Sequence, residues 1–292
     1  SAIAAALAAA AGRPVRLSLG LDETFALGPA SPDQALHLRL AADGQGHILA
    51  AEADLVTNAG AALAGAEHAA EAALGALAAA LPAGRLAASA RVVLTDSPPT
   101  DSCNGAVLAA FALEQGLDAL AAALGHDPLD LRRKTLPDTA CLEAAARGFG
   151  WAGPLRGLPL DEAGRLRRGA GIGCCGTAAA AMAEVMVDRE VGHVSLMRLT
   201  LAQTGSAAMP AGAPAVPAAA ARALGLALTE EAPIDPATGA IIAPRLGSYR
   251  IATPFSLPEI DHLPVGPAAA DPDAAPTVAA IVAAIATAIH DA

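Results

Sequence analysis

The sequence predicts an α+β fold in which mixed sheets are covered by alanine-rich helices. Two pairs of segments alternate apolar and polar residues on either side of a short turn, which is the pattern of a β-hairpin. Other segments carry alanine and leucine at helical spacing and end at glycine or proline. Of the 292 residues, 54% are hydrophobic and 2% are aromatic. Small aliphatic side chains must therefore fill the core.

The first half of the chain predicts helices around a hairpin and a further strand. The helix signals are Gly12 after an alanine-rich opening and Asp127-Pro128 before a short basic segment. The hairpin turns at Asp43-Gly44. The predicted elements are a helix over 3–11, a hairpin of 36–40 with 48–56, helix-forming residues from 59 to 90 with a break at 82–84, a strand over 91–94, and helices over 111–124 and 129–134.

The second half predicts another hairpin followed by two helices. Glycine and proline recur between 150 and 168, which is typical of a linker between two α+β regions. The turn of the second hairpin lies around Gly192. The predicted organisation is a first region over 1–150, a linker over 151–168, a second region over 169–292, a hairpin of 183–187 with 194–201, and helices over 217–228 and 277–289.

Composition excludes several classes of protein. The chain carries 18 Lys and Arg against 29 Asp and Glu, for a net charge of −11, which argues against a nucleic-acid partner. The hydrophobic fraction is mostly alanine, and no stretch of about 20 apolar residues lacks charge, glycine and proline, so no transmembrane segment is predicted. The first residues lack the basic start of a signal peptide. We expect a cytoplasmic protein, with a periplasmic location as the alternative.

The four cysteines and one glycine-rich run are the first candidates for chemistry. The cysteines show neither a CxxC pair nor iron–sulfur spacing, so no iron–sulfur cluster is expected in this chain. The run Gly171-Ile172-Gly173-Cys174-Cys175-Gly176 fits G-x-G-x-x-G, which cradles a pyrophosphate when a buried parallel strand leads into it. The residues before it are basic rather than apolar. Dinucleotide binding at Gly171–Gly176 is therefore kept as a third hypothesis.

The order of several segments resembles a known family. The segments are Gly12–Leu17, Asp43–Ala50, Phe111–Gln115, Leu124–Arg133, Ala183–Asp188 and Leu257–Ile260. Together they resemble the molybdopterin-binding large subunit of the xanthine dehydrogenase and aldehyde oxidase family, and most nearly its isoquinoline-oxidoreductase-like branch. The resemblance covers nearly the whole chain and implies two α/β subdomains of the molybdenum-hydroxylase type.

The resemblance also implies a reaction and a set of site residues. Members of the family hydroxylate an aldehyde or an N-heterocycle, with water as the oxygen source and a glutamate base beside the molybdenum. Asp271 stands at the position of that base. Gly176 and Thr177 stand where the family's cofactor loop begins, and Gly205 stands in a second cofactor-binding segment. These four residues are the predicted catalytic and cofactor-binding positions.

The sequence departs from the family pattern at its chemical positions. No arginine lies in 101–106, where the family carries one, and the central cofactor segment is missing between Gly176 and Ala183. We therefore expect a family member that is inactive or incomplete as an isolated chain. The resemblance implies molybdopterin, retained or lost, without FAD in this chain, and an iron–sulfur, FAD or second molybdopterin-type subunit as partner. The alternative is a structural or assembly subunit without catalytic function.

Overall fold

The protein consists of two β-sheets covered by helices in the computed structural model, which confirms the predicted α+β fold. The structure describes residues 2–20, 23–24, 31–82, 84–96, 105–205, 215–231, 249–268 and 275–292, together with 233, 235, 237, 238 and 242.

The first half forms a three-stranded sheet and five helices. Its elements are α1 (Ala2–Ala11), β1 (Gln34–Ala42), β2 (Ile48–Gly60), α2 (Ala64–Ala80), β3 (Leu86–Leu94), α3 (Gly105–Leu124), α4 (Pro128–Thr135) and α5 (Ala140–Phe149). The strand order is β1-β2-β3, with β2 antiparallel to β1 and parallel to β3. The antiparallel pair confirms the first predicted hairpin. A core of leucine and alanine lies between this sheet and helices α2 and α3.

The prediction of helix for residues 86–90 is wrong. These residues are small and favour a helix in isolation, yet they form the first part of β3. Their backbone pairs with residues 51–55 of β2, and this tertiary pairing outweighs the weak local preference of alanine. Strand β3 therefore begins five residues before the predicted strand.

The second half forms a five-stranded sheet and two further helices. Its elements are β4 (Leu158–Pro159), β5 (Leu166–Cys175), β6 (Ala179–Asp188), β7 (His193–Gly205), α6 (Ala215–Leu224), a π-helical turn (Gly225–Thr229), a 3-10 turn (Pro254–Ser256), β8 (Ile260–Ala268) and α7 (Ala275–Asp291). The strands follow in chain order, and only β7 and β8 are parallel. The β6–β7 pair confirms the second predicted hairpin.

Helices cover both faces of the five-stranded sheet. Helix α7 and helix α6 pack on one face in the larger core. Helix α5 packs on the other face against Ile172 and Met182. Helix α5 comes from the first predicted region, and β4 with the start of β5 lies within the expected linker at 151–168. The proposed division of the chain at 151–168 stays a prediction.

Candidate functional site

Three of the four predicted site residues lie together at one edge of the five-stranded sheet. Strand β5 ends at Cys175, β7 ends at Gly205, and Gly205 pairs with Ala268 near the end of β8. Gly176 and Thr177 form the turn between β5 and β6. Helix α7 begins at the same edge, where the Thr277 hydroxyl donates to Oε1 of Gln203 at 2.8 Å. We call residues 176–179, 203–205, 268 and 275–277 the strand-end edge.

The register of β6 against β7 brings the two predicted cofactor segments side by side. The backbone N–H of Thr204 donates to the carbonyl of Ala178 at 2.9 Å, and the Thr204 hydroxyl donates to the same oxygen at 3.3 Å. Thr177 is exposed, and Gly176 has a φ of +53° with open space where a side chain would stand. Hydrogen bonds from Thr204 therefore hold the turn on the side that faces β7, and the space around Gly176 is open.

The fourth predicted site residue, Asp271, lies outside the described residues. The arginine-free segment 101–104, Cys103 and the segment 206–210 also lie outside them. The role of Asp271 as a degraded base stays a prediction.

A buried cluster of charges lies behind the strand-end edge. Arg132 is fully buried, and its Nε donates to Oε2 of Glu114 at 2.6 Å. Its Nη1 lies 2.7 Å from Oδ1 of Asp118, and its Nη2 donates to the carbonyl of Ile172 at 3.3 Å. The backbone N–H of Cys174 donates to the Glu114 carboxylate. The cluster therefore connects α3 and α4 to the last residues of β5, directly before the turn at Gly176.

The charges in this cluster are unequal in number. One guanidinium faces two carboxylates, of which Glu114 is buried and Asp118 is 17% exposed. Burial raises the pKa of Glu114, against the opposing effect of Arg132. Burial alone would lower the pKa of Arg132, but the carboxylates of Glu114 and Asp118 raise it more. The guanidinium thus stays charged, and removing it would leave a buried carboxylate without its cation.

A small cavity joins the buried cluster to the strand-end edge. Its volume is about 30 Å³, enough for one or two water molecules. Most of its lining residues are alanine and leucine, and Glu114, Cys175 and Gly176 also line it. The cavity is too small for an organic substrate.

The described cysteines do not form a reactive or metal-binding centre. Burial raises the pKa of the Cys141 thiol to about 11 and that of Cys174 well above its usual range. Cys175 is half-buried. Within the described ranges, no group of three or more His, Cys, Asp or Glu side chains could hold a metal ion. Cys141 and Cys174 pack in the core between helix α5 and the five-stranded sheet.

The structure contradicts the dinucleotide hypothesis for Gly171–Gly176. The run lies in β5, which is antiparallel to β6, and β5 leads through a tight turn into β6 rather than into a helix. A Cβ on Gly171 or Gly173 would come closer than 3.0 Å to the backbone of α7. These glycines allow the helix to pack closely on the strand, so no pyrophosphate can reach their backbone there.

Sequence reasoning did not identify the Glu114–Arg132 pair. The sequence feature that could have indicated the pair is a carboxylate, Glu114, between the core residues Leu113 and Leu117. A second such feature is the arginine that follows the buried Leu131. Charged residues at apolar helix positions indicate a buried pair, because an unpaired charge would be too costly there. Which partner each would choose depends on how α3 packs on α4.

Helix α3 also has the length and apolar character of a membrane span. Among the described helices, only its segment Val107–Leu124 meets both criteria. A core helix of a globular domain meets the same criteria. Helix α3 packs in the core of the first sheet through Leu113 and Leu117, and it carries the buried Glu114.

Comparison with known proteins gives a domain match in the first half of the chain and a shared fold over its whole length. Residues 1–136 match the family model of the molybdopterin cofactor-binding domain. The fold of the whole chain is similar to that of three solved enzymes that share little sequence identity with it. They are quinoline 2-oxidoreductase from Pseudomonas putida 86 (TM-score 0.83, 14% identity, 99% of this chain and 63% of that chain), aldehyde oxidoreductase from Desulfovibrio gigas (0.76, 16%, 100% and 50%) and CO dehydrogenase from Oligotropha carboxidovorans (0.82, 11%, 100% and 62%). A search of curated protein sequences gives no match.

The sequence match shows a molybdopterin cofactor-binding domain over residues 1–136, and the fold of the whole chain is the one that these three enzymes share. The chain spans between 50% and 63% of the length of these three enzymes.

Proposed function

We propose that this chain is a subunit of a molybdenum hydroxylase, contacts the molybdopterin cofactor through the strand-end edge, and does not complete the active site alone. The observation that supports this proposal is that Gly176, Thr177 and Gly205 lie together at this edge. The complete enzyme would hydroxylate a small aldehyde or N-heteroaromatic compound, with oxygen from water. An iron–sulfur or FAD subunit would take up the two electrons.

The strand-end edge fits one side of such a cofactor. When bound, molybdopterin supplies a molybdenum centre that accepts electrons from the substrate. Its phosphate ester needs hydrogen-bond donors, which the backbone of the turn at Gly176 and the exposed hydroxyl of Thr177 can provide. The N-terminus of α7 lies at the same edge and favours negative charge. Gly176 leaves the turn open for a close approach.

One observation supports the incompleteness of the site in this chain. The strand-end edge as defined carries neither lysine nor arginine, so its described residues would meet the phosphate with neutral groups only. A second polypeptide would supply the remaining contacts. A cytoplasmic location stays a prediction.

Retention of the cofactor by matched turn variants tests the role of the edge. Gly176 and Gly192 occupy the two turns of β6, at opposite ends of the strand, and both have a positive φ and open space around them. Valine at either position strains the turn by roughly 1–2 kcal/mol. We expect Gly176→Val to lower pterin and molybdenum content at least tenfold in the co-purified complex, with Gly192→Val close to the unsubstituted protein.

The metal content of the isolated chain tests incompleteness separately. We expect far less than one molybdenum per chain after molybdopterin is added to the purified chain, and an approach to one per chain in the complex. Stoichiometric molybdenum in the isolated chain would show that it completes the cofactor site by itself. Equal losses in Gly176→Val and Gly192→Val would show that the strand-end edge has no special role.

The alternative function is a structural or assembly subunit, and the lack of a cationic side chain at the strand-end edge favours it. In that case the purified complex keeps its molybdenum in Gly176→Val. Turnover in Asp271→Ala would then equal that of the unsubstituted complex. If Asp271 is the base, the same substitution lowers turnover by at least 100-fold.

A further inference from the structure

Gln203 is a buried amide side chain at the strand-end edge. It lies on β7 two residues before Gly205, opposite Ala179 of β6 and Pro264 of β8. Only 7% of Gln203 is exposed. Burying an amide is costly unless its donor and its acceptor both find partners, so the partners of this side chain indicate what the position requires.

Only the acceptor of Gln203 is satisfied by the described part of the chain. Its Oε1 accepts the hydrogen bond of the Thr277 hydroxyl at 2.8 Å, and Thr277 is itself buried. Its Nε2 donates to no described residue. Nε2 is not enclosed either, because it does not belong to the fully buried side-chain atoms that lack a partner. The amide nitrogen is therefore the polar atom of Gln203 that reaches the surface of the edge.

The contact with Thr277 determines how Gln203 can meet a ligand. A carboxamide offers an acceptor oxygen and two donor protons on its nitrogen. In this structure the oxygen is already bonded to Thr277, whereas the protons on Nε2 remain available. Gln203 therefore acts as a hydrogen-bond donor toward a ligand at the strand-end edge.

The start of helix α7 adds positive potential beside this donor. Helix α7 has 17 residues and begins at Ala275, two residues before Thr277. The N–H groups in the first turn of a helix point outward along its axis, and the helix dipole places a partial positive charge there. An oxygen anion is the ligand that suits both a side-chain donor and a helix N-terminus.

We propose that Gln203 binds a phosphate group at the strand-end edge through Nε2, and that Thr277 positions its amide. This inference rests on the proposed function, in which the phosphate is the ester of molybdopterin. Free inorganic phosphate presents the same acceptor oxygens, so the experiment must separate the two sources. Gln203 is then a binding residue, and Thr277 is a positioning residue that acts through it.

The pterin content of the co-purified complex tests the donor. Gln203→Met keeps the approximate size of the side chain and removes the amide. Gln34→Met is the matched control, because Nε2 of Gln34 donates to the Thr57 hydroxyl at 3.1 Å in the other sheet. A hydrogen bond to a charged group changes affinity by about tenfold or more. We expect pterin and molybdenum content to fall about tenfold in Gln203→Met, with Gln34→Met close to the unsubstituted complex.

Substitutions of Thr277 test the positioning role, and they also decide the matter if Gln203→Met does not fold. Thr277→Val and Thr287→Val each remove one buried hydroxyl of α7, and Thr287 donates to the carbonyl of Ile172 at 3.0 Å. Both should lower the urea midpoint of the isolated chain alike. Only Thr277→Val should also lower the pterin content, and Thr277→Ser, which keeps a hydroxyl, should recover it. Equal pterin losses in the two valine variants would contradict the positioning role.

Three outcomes of the Gln203→Met experiment would overturn the inference. Unchanged pterin content beside a loss in Gly176→Val would remove Gln203 from the site and leave the proposed function intact. Unchanged content in both variants would overturn the proposed function and the inference together. Phosphate released from the denatured complex is measured alongside the pterin, and it should fall in step with it. A fall in phosphate at constant pterin would assign the site to free phosphate instead of the cofactor.

Discussion

Substitution of Gly171 by alanine tests how the sheet behind the strand-end edge is built. Gly169, Gly171 and Gly173 lie on one face of β5, against Ala280, Ala284 and Ala288 of α7. Two strand residues span about 6.6 Å and four helix residues span about 6.0 Å, so the two series stay in step. A Cβ on Gly171 would come well under 3.0 Å from the backbone of Ala284 and Ala288. Backbone atoms cannot rotate away, so the helix must move off the strand.

The expected cost follows from this displacement. Overpacking a core costs about 1–3 kcal/mol, and a contact with backbone belongs at the upper end. The buried hydrogen bond from the Thr287 hydroxyl to the carbonyl of Ile172, 3.0 Å long, would also be strained or lost, at about 1 kcal/mol. We therefore expect Gly171→Ala to lower the free energy of unfolding by about 3–4 kcal/mol, and the melting temperature by about 10 °C.

Urea unfolding measures this cost, with Gly75→Ala as the matched control. Gly75 lies exposed within α2, with open space around it and an ordinary helical φ. Alanine there should raise stability by about 0.5–1 kcal/mol, because it favours the helix. A cost below about 1 kcal/mol for Gly171→Ala would refute the reasoning, since the glycines would then not be required for the approach of α7.

Three further predictions concern the charged groups and the thiols. Arg132→Met should lower the free energy of unfolding in urea by about 3–5 kcal/mol at pH 8. The loss should be smaller at pH 5, because at that pH the buried Glu114 can take up a proton in the folded state. In a Cys103→Ser chain, Cys175 should be alkylated first, and mass spectrometry should find Cys141 and Cys174 modified only after unfolding. Hydrogen bonding to Arg165 lowers the pKa of Asp188 to about 2, below its unfolded value. This pair should therefore stabilise the fold above about pH 4 and lose its effect as pH falls through 2. In a plot of the urea midpoint against pH, Arg165→Gln should make the fall between about pH 4 and 2 shallower.

The elements that sequence patterns predicted are those whose signal is local. The two hairpins follow from alternating residues around a turn, as at Asp43-Gly44, and the structure confirms both. The first part of β3 was missed because alanine carries no pattern of its own. Only its pairing with β2 makes residues 86–90 a strand. In a chain so rich in alanine, helix preference is a weak guide wherever a neighbouring strand is available.

The glycine-rich run of β5 shows how one pattern serves two structures. A dinucleotide loop and a strand beneath a closely packed helix both need glycine, because in both cases a backbone or a ligand approaches the chain. The distinguishing feature was already present in the sequence. Glycine at every second position, 169, 171 and 173, is the period of a strand, and α7 carries alanine at every fourth position, 280, 284 and 288.

The candidate site was predicted by resemblance rather than by its chemistry. Nothing local in Gly176, Thr177 or Gly205 indicates a cofactor, and their proximity depends on the register of β6 against β7. The Glu114–Arg132 pair escaped prediction for a related reason. Each residue is visible as a charge at an apolar position, but their contact requires that α4 pack on α3.

The contacts that shape the strand-end edge lie mostly behind it. Arg132 and Glu114 hold the end of β5 through the carbonyl of Ile172 and the N–H of Cys174, and α7 packs along the whole strand. None of these contacts involves the side chains that would meet a ligand at the turn. The edge can therefore keep its shape whatever those side chains are, which is why a shared fold does not by itself imply activity. For the same reason a substitution at Gly176 should change cofactor binding with little effect on the fold beyond strain at the turn, and Gly192 reports that strain alone.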